Sequence, residues 1–290
     1  MEVPGVDAAA DGSGIELSHV HANGIRIQVA TMGAGSPVLL LHGWPFTWFL
    51  WRRLMPTLSA SGYRVIAPDL RGIGGTERPA DGYDLYTLAD DAAGLLSALN
   101  VKDAVVVGFD LGVSPAWMLA MRHPELVRKI VLMEALLGSL PGAEGFLAHG
   151  APWWFGFHAV PGLAEAALEG NEGAYLDWFF TNHTAGRRGI EPHARDAFVS
   201  AYSGKEALRG GFEHYRAFPI HAAQIAAAVR EQRLTIPIMA LGGGVVGEAL
   251  YKQLAPTSDH VVSHIIPDCG HVIPEEKPEA LAALLLAFIA

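Results

Sequence analysis

Ala104-Val105-Val106-Val107-Gly108-Phe109-Asp110-Leu111-Gly112 is the stretch around which the chain is organised. Its first four residues form a short apolar run, which is typical of a strand buried on both faces of a parallel sheet. Gly108 and Gly112 flank Asp110 at two residues on each side, and glycine allows a strand to turn into a helix without Cβ collisions. Residues 113–122 supply the helix that follows. We therefore predict a strand, a sharp turn and a helix, with the carboxylate of Asp110 exposed at the turn.

The order of strands and helices on both sides of this turn predicts an α/β fold. Short apolar runs alternate with helix-like segments in residues 15–137 and again in residues 233–290. Such alternation is the signature of a mostly parallel sheet with helices on both faces. Residues 138–232 are instead aromatic, rich in glycine and helix-like, which predicts a helical cap inserted into the core. Residues 1–14 have no periodicity, so we expect a flexible leader.

The predicted elements of the core follow from these local patterns. Strands are predicted at residues 17–21, 25–31, 37–42, 63–68, 104–107, 129–133, 236–241 and 260–266. Helices are predicted at residues 46–61, 85–99 and 113–122, with two more that begin near residues 248 and 275.

The composition excludes several classes of function. The chain of 290 residues is 51% hydrophobic and carries a formal net charge of −10, which argues against nucleic acid or an anionic membrane surface as a partner. A single cysteine excludes an internal disulfide and a CxxC metal site. No signal peptide is recognisable, and the apolar run at residues 281–290 is too short to span a bilayer. We expect a cytoplasmic protein, and a homodimer is compatible with the sequence.

Three motifs in order resemble the α/β-hydrolase branch that contains epoxide hydrolases and haloalkane and haloacid dehalogenases. The turn at Asp110 is similar to the G-x-S-x-G nucleophile elbow with aspartate in place of serine, and the other two motifs are His42-Gly-Trp-Pro45 and Pro267-Asp-Cys-Gly-His271. The resemblance extends into the cap, where three segments are similar to motifs of bacterial epoxide hydrolases: Pro152-Trp-Trp-Phe-Gly-Phe-His158, Tyr175-Leu-Asp-Trp-Phe179 and Phe212-Glu-His-Tyr-Arg-Ala217.

The chemistry of the turn favours attack on saturated carbon. A carboxylate with an ordinary pKa near 4 is already anionic at pH 7, so Asp110 needs no base to act as a nucleophile. The product is an alkyl ester, and a neutral histidine is the natural base to activate the water that hydrolyses it. We assign this role to His271, which follows a predicted strand and stands where the resemblance places the catalytic histidine.

The acid that orients His271 is harder to assign. Many relatives carry an Asp or Glu just after the strand predicted at residues 236–241, but here that loop reads Gly242-Gly-Gly-Val-Val-Gly247. Other members of the branch place the acid after the strand that follows the nucleophile helix, and Glu134 stands there. Open α/β sheets collect functional groups at the carboxyl ends of their strands. We therefore predict the triad Asp110–His271–Glu134, with Glu248 and Asp268 as alternatives.

The resemblance also implies an oxyanion hole made of backbone N–H groups. It places these donors at Trp44 and Leu111, so the identity of side chain 111 matters little. Relatives often carry His and Trp or Arg beside the nucleophile, whereas this chain has Phe109 and Leu111. We expect the pocket wall to be more apolar for that reason.

The cap should supply a proton donor, because opening an epoxide leaves an alkoxide. The resemblance places this donor at Tyr215. Related caps often read Trp-His-Phe where this chain has Trp153-Trp154-Phe155, so the indole of Trp154 is our candidate second donor and Tyr175 the reserve. Tryptophan can donate a hydrogen bond but cannot transfer the proton, which leaves the acid role to Tyr215. Phe155 is expected to line the pocket between cap and core.

The leading hypothesis is an epoxide hydrolase that needs no cofactor or metal and converts a bulky apolar or aromatic epoxide and water to a vicinal diol. A dehalogenase using the same nucleophile is the first alternative, and a ligand-binding homologue without turnover is the second. We do not expect Cys269 to be a nucleophile, because no separate histidine is placed to activate it. Ser114 lies in the predicted helix and not at the turn, which argues against a serine hydrolase.

Overall fold

A computed structural model of the chain describes residues 14–290. The leader predicted for residues 1–14 therefore lies, except for Gly14, outside the described residues. Within residues 14–290, eight strands form a single sheet in the order β1-β2-β4-β3-β5-β6-β7-β8. Their bounds are β1 Glu16–Ala22, β2 Ile25–Met32, β3 Ser36–Leu41, β4 Tyr63–Pro68, β5 Ala104–Phe109, β6 Val127–Met133, β7 Ile238–Gly242 and β8 Val261–Ile265. The pairs β1/β2 and β2/β4 are antiparallel and the remaining pairs are parallel, as the alternating pattern predicts.

Twelve α-helices lie within the described part of the chain. Their bounds are α1 Met55–Ala60, α2 Leu85–Ala98, α3 Val113–Arg122, α4 Trp153–Ala159, α5 Leu163–Leu168, α6 Glu172–Asn182, α7 Pro192–Ala201, α8 Lys205–Arg216, α9 Phe218–Glu231, α10 Ala249–Leu254, α11 Ile273–Glu276 and α12 Pro278–Ile289. The helices α4–α9 all fall between β6 and β7, within the segment predicted to form the cap. No helix in the described range is long and apolar enough to cross a membrane.

The single helix predicted at residues 46–61 is wrong. The structure has a 3₁₀ turn at Trp48–Trp51 and a separate short helix α1. Pro56 lies at the start of α1, where its missing N–H costs nothing, whereas a continuous helix would lose a hydrogen bond and meet the proline ring. In addition, the backbone N–H of Trp48 donates to the Asp69 carboxylate, 2.7 Å away, which fixes the 3₁₀ turn. The contact with Asp69 is a tertiary one that local periodicity cannot reveal.

The last helix also begins later than predicted, because Pro278 divides the segment. A residue before proline avoids the helical region, and Lys277 has φ −140° and ψ 51°. The chain therefore forms the single turn α11, then breaks, and then forms α12. Leu281 and Leu285 of α12 are fully buried, so this helix packs into the core.

The register of the sheet aligns the carboxyl ends of its central strands. Leu41 at the end of β3 pairs with Gly108 of β5, and Phe109 of β5 pairs with Met133 at the end of β6. Met133 in turn pairs with Leu241 of β7. The residues that follow β3, β5, β6 and β7 are consequently brought to one edge of the sheet, beneath the cap. Ligands bind at such edges in open α/β sheets.

Candidate active site

The turn after β5 holds Asp110 in a conformation that close packing enforces. Asp110 has a φ of +50°, in the left-handed region that non-glycine residues seldom adopt. A Cβ on Gly112 would lie 2.3 Å from the backbone oxygen of Leu41, and a Cβ on Gly43 would lie 2.3 Å from Asp110 Cβ. Both glycines are therefore needed for the close approach of the β3 and β5 loops. This strained turn presents the carboxylate of Asp110 to the cavity.

The structure brings Asp110, His271 and Glu134 together. His271 Nε2 lies 3.5 Å from Asp110 Oδ2, and His271 Nδ1 lies 3.1 Å from Glu134 Oε2. Glu248 pairs instead with Lys252 in a surface ion pair, and Asp268 is exposed. Of the three candidate acids, Glu134 is the one that contacts the imidazole.

The glycine-rich loop at residues 242–247 has a function in this arrangement. Its backbone N–H groups at Gly243 and Val246 donate hydrogen bonds to the Glu134 carboxylate, at 2.5 Å for Gly243 and 3.2 Å for Val246. Glu134 is only 1% exposed, and a buried carboxylate needs such donors to remain charged. The loop after β7 thus holds the carboxylate of Glu134, which follows the neighbouring strand β6.

The two carboxylates set the protonation state of His271. Burial of the imidazole favours its neutral form, but hydrogen bonds and the charges of Asp110 and Glu134 outweigh burial and raise the pKa of His271 to about 10. Both ring nitrogens face a carboxylate oxygen, so both can donate. At pH 7 His271 therefore rests as an imidazolium ion between the side chains of Asp110 and Glu134.

A backbone donor already contacts the carboxylate of Asp110. The N–H of Trp44 donates to Asp110 Oδ1 over 2.8 Å, and Leu111 lines the same cavity. The loop that carries Trp44 is held by the buried side chain of His42, whose Nδ1 donates to the carbonyl of Gly43 and whose Nε2 accepts from the N–H of Leu70. Burial lowers the pKa of His42 to about 4, so the ring is neutral, and one of its nitrogens can donate while the other accepts.

The sequence reasoning missed the supporting role of His42 and the carboxylate beside it. Asp69 accepts hydrogen bonds from the backbone N–H groups of Trp48 and Gly75, and its burial raises the pKa of this carboxyl to about 6. The sequence signal that could have found these two residues was their position at the end of a predicted strand or directly after it. His42 and Asp69 follow the strands β3 and β4, at the same edge of the sheet as Asp110.

Tyr215 lies across the cavity from the core, on α8 of the cap. The side chain is buried, and its ring packs edge-on against Trp44 at a centroid distance of 5.9 Å and near Phe155 at 5.7 Å. Burial and the charge of Asp110 raise the pKa of Tyr215 well above that of a free phenol. The hydroxyl of Tyr215 therefore keeps its proton at pH 7.

The other predicted pocket residues divide into two groups. Trp154 and Phe155 line the cavity. Tyr175 does not, because its hydroxyl is 2.6 Å from Nε2 of His158 inside the cap. Phe109 also stays outside the cavity and packs against the ring of His271 at 4.9 Å. Phe109 thus supports the histidine, a contact that the sequence did not suggest.

The cavity between cap and core has a volume of about 310 Å³ and a mostly apolar lining. Among the described residues that line it, the charged side chains are those of Asp110, Glu134 and His271, and there is no lysine or arginine. Three further histidines line it that the sequence reasoning did not single out: His183, His214 and His221. Ser114 reaches the cavity from α3, while burial raises the pKa of the Cys269 thiol to about 12 and leaves it inert.

Comparisons with known proteins agree with this geometry. A family model described as the alpha/beta hydrolase fold matches residues 36–278. A soluble epoxide hydrolase of Corynebacterium sp. (strain C12) is 32% identical over 284 residues, which cover 95% of this chain and 98% of that protein. Epoxide hydrolase 2 of Siraitia grosvenorii is 30% identical, and the match covers 95% of this chain and 98% of that protein.

Solved structures show the same similarity. The epoxide hydrolase CorEH without ligand has a TM-score of 0.85 at 29% identity and covers 95% of this chain and 98% of its own. Wild-type Cfl2 of Burkholderia cenocepacia has a TM-score of 0.87 at 30% identity, with 96% of each chain covered. The fold, the carboxylate at the elbow and these near-complete matches lead to one conclusion: the chain belongs to the α/β-hydrolase family, among relatives that are epoxide hydrolases.

Proposed function

We propose that the protein is an epoxide hydrolase that opens a bulky apolar or aromatic epoxide to a vicinal diol through an alkyl ester on Asp110. The observation that carries the proposal is the carboxylate of Asp110 at the elbow, held between the N–H of Trp44 and the imidazole of His271. A carboxylate in this position attacks saturated carbon, and Tyr215 in the facing cap supplies an acid for the oxygen that leaves.

The first step forms the ester. Asp110 Oδ2 attacks an epoxide carbon, the C–O bond of the ring breaks, and the freed electron pair on oxygen takes the phenolic proton of Tyr215. Trp44 N–H keeps its hydrogen bond to Oδ1, which becomes the carbonyl oxygen of the ester. Once Asp110 is esterified, its negative charge no longer stabilises the imidazolium of His271. The pKa of His271 then falls, and its proton passes to the tyrosinate through water in the cavity.

The second step hydrolyses the ester. Neutral His271 takes a proton from a water molecule, whose oxygen attacks Cγ of Asp110. The negative charge that develops on Oδ1 is stabilised by the N–H of Trp44, with that of Leu111 as the second donor. The diol oxygen leaves with the proton on His271, and the new carboxyl group of Asp110 returns its own proton to His271. The resting ion pair is thereby restored.

The lining of the cavity supports a neutral, apolar substrate. Aromatic and aliphatic side chains surround the cavity, and its size suits a compact ring system or a branched chain. A haloacid would place its own carboxylate near Asp110 and Glu134, and no lysine or arginine is found among the described lining residues to compensate its charge. One observation favours the dehalogenase alternative, since the indole of Trp154 lines the cavity and an N–H donor can stabilise a halide.

Product identification separates these reactions. Purified protein should be incubated with a matched panel of styrene-type and cyclic terpene epoxides and with the corresponding chlorides and bromides. We expect diol from the epoxides, no halide release from the halides, and no diol with Asp110→Asn. Halide release without diol would establish the dehalogenase, and binding without either product would establish the ligand-binding homologue.

We also propose a cytoplasmic location. The one cysteine of the chain, Cys269, is a free and buried thiol, which suits a reducing compartment. Fractionation of the source cells with an antibody against the protein would test this, and recovery outside the cytoplasm would contradict it.

A further inference from the structure

His183 lies directly after α6 of the cap and lines the cavity beside His271. The centroids of the two imidazole rings are 5.9 Å apart, at an interplanar angle of 65°. The ring of His183 is stacked on Phe179 at 5.4 Å, and it packs edge-on against Trp154 at 5.2 Å. The orientation of this imidazole is therefore fixed by aromatic neighbours.

Hydrogen bonding determines which nitrogen of His183 carries the proton. Nδ1 lies 3.2 Å from the backbone oxygen of Phe179, and a carbonyl oxygen can only accept, so Nδ1 is the donor. Burial is the main cause that lowers the pKa of His183 to about 4, which keeps the ring neutral. Nε2 therefore presents a lone pair, because the side-chain hydrogen bond found for this ring among residues 14–290 is the one that Nδ1 makes.

The backbone fixes the position of His183 relative to the catalytic histidine. The carbonyl of His183 accepts a 2.6 Å hydrogen bond from the backbone N–H of His271. Glu276 joins the same two segments, because its carboxylate accepts from the N–H groups of Ala185 in the cap and Gly270 in the core. A Cβ at Gly270 would lie 2.3 Å from the oxygen of His183, so glycine is required there. The cap and the catalytic loop are held together at this point.

We propose that Nε2 of His183 accepts the second hydrogen bond of the water molecule that His271 activates. This inference rests on the proposed function, since it concerns hydrolysis of the ester on Asp110. The attacking water gives one proton to His271 and needs an acceptor for its other O–H group. In a mostly apolar cavity an O–H group without an acceptor is costly. With both hydrogens engaged, the oxygen lone pair of the water is directed at Cγ of Asp110.

The roles of the two histidines are distinct. His271 takes the proton, whereas His183 stays neutral and only accepts a hydrogen bond. Formation of the ester uses no water, so it is independent of Nε2 of His183. Loss of this acceptor should therefore slow the second step and leave the first step almost unchanged, which a general disturbance of the cap would not do.

Two variants of His183 test the inference by rapid-quench intact-mass kinetics on an epoxide that the parent converts to diol. His183→Phe keeps the stacked ring but removes the acceptor, and we expect ester hydrolysis to slow about tenfold or more, while ester formation stays within about twofold. The ester should then accumulate during turnover. In His183→Gln the amide oxygen can accept the hydrogen bond of the water, so this variant should retain most of the hydrolysis rate. It also tests the inference if the Phe variant folds poorly.

A packing control comes from Trp178, whose ring lies 5.7 Å from that of His183 but does not line the cavity. Trp178→Phe should leave both steps unchanged. The inference is overturned if His183→Phe hydrolyses the ester at the parent rate, or if both of its steps slow equally. A parent that forms no diol from any epoxide would refute the proposed function itself, which is a separate result.

Discussion

At the scale of single residues, the site places the strained residue Asp110, our proposed nucleophile, beside a histidine whose charge depends on it. The left-handed backbone of Asp110 presents the carboxylate, and the same carboxylate, together with that of Glu134, raises the pKa of His271 to about 10. In the mechanism that we propose, esterification removes that charge, so Asp110 itself switches His271 from an ion-pair partner to a base. Residue type and the turn motif predicted Asp110 as the nucleophile, whereas His271 was predicted from its position in the chain together with the family resemblance, and both roles stay predictions. It could not show that His271 rests as an imidazolium, since this depends on distances to two carboxylates.

Tyr215→Phe tests the assignment of the acid at this scale. Without the phenolic proton the alkoxide must leave unprotonated, so we expect ester formation to slow by about two orders of magnitude or more. Ring packing against Trp44 is retained in the variant, and the free energy of unfolding should change little. Single-turnover kinetics on one epoxide give the rate of ester formation, and a variant as fast as the parent would show that Tyr215 is not the acid.

At the scale of elements, the proposed acid of the triad depends on two neighbouring strands. Glu134 follows β6, and the glycine-rich loop after β7 donates N–H groups to it. The absence of an acid in that loop was visible in the sequence and directed the assignment to Glu134. The compensating hydrogen bonds were not visible, because they join residues more than 100 positions apart. The failure of the single helix predicted at residues 46–61 has a similar explanation, since the hydrogen bond from Trp48 N–H to Asp69 is also a tertiary contact.

Glu134→Gln tests this shared arrangement. The substitution preserves size but removes the charge that orients and stabilises protonated His271, so ester hydrolysis should fall by about 10²-fold and ester formation by much less. Intact-mass kinetics resolve the two steps. Glu248→Gln is the matched control, because Glu248 is exposed and should not affect either step. Slowing confined to ester formation, or an effect of the control on hydrolysis, would assign the acid elsewhere.

At the scale of the whole molecule, alternation of strands and helices was enough to predict the fold, since each element has its own local periodicity. The position of the cap above the sheet edge was implied only by the resemblance. The place of His183 in the cavity depends on how cap and core pack, and the Tyr175–His158 contact depends on how α4 and α6 pack within the cap. No local pattern records either contact. The cap and core also bury several neutral histidines, and this has a consequence for stability.

The protein should lose stability as the pH falls below 6.5. Burial lowers the pKa of His42 and His183 to about 4 and that of His158 and His214 to about 3. The imidazoles bind protons near pH 6.5 in the unfolded chain but not in the folded chain. The stability that these histidines contribute is therefore present above pH 6.5 and is lost as the pH falls towards 4. Each histidine contributes at most about 1.4 kcal/mol per pH unit in that window.

Two groups act in the opposite direction. The pKa of Asp69 is raised to about 6, so as the pH falls its carboxyl binds a proton in the folded chain before it does so in the unfolded chain. This stabilises the fold and offsets the loss of stability from about one of these histidines. His271 stabilises the fold below pH 6.5, and this contribution disappears as the pH rises towards 10. Urea denaturation at pH 7.5, 6.5, 5.5 and 4.5 should show a steep fall in the free energy of unfolding from pH 6.5 to 4.5 and a smaller change between pH 7.5 and 6.5. His158→Phe removes one titrating group and should make the slope shallower, while an unchanged free energy across this range would contradict the account.

The central claim is that Asp110 forms a covalent ester with the substrate, and trapping that ester tests it most directly. In His271→Gln the nucleophile and Tyr215 remain, but the base is absent, so the ester should form and persist. After incubation with an epoxide that the parent hydrolyses, the intact mass should increase by the mass of one substrate molecule, and peptide mapping should place the increase on the peptide that contains Asp110. Asp110→Asn should show no increase. Absence of an adduct in His271→Gln with substrates that the parent turns over, or an adduct on another residue, would contradict the mechanism.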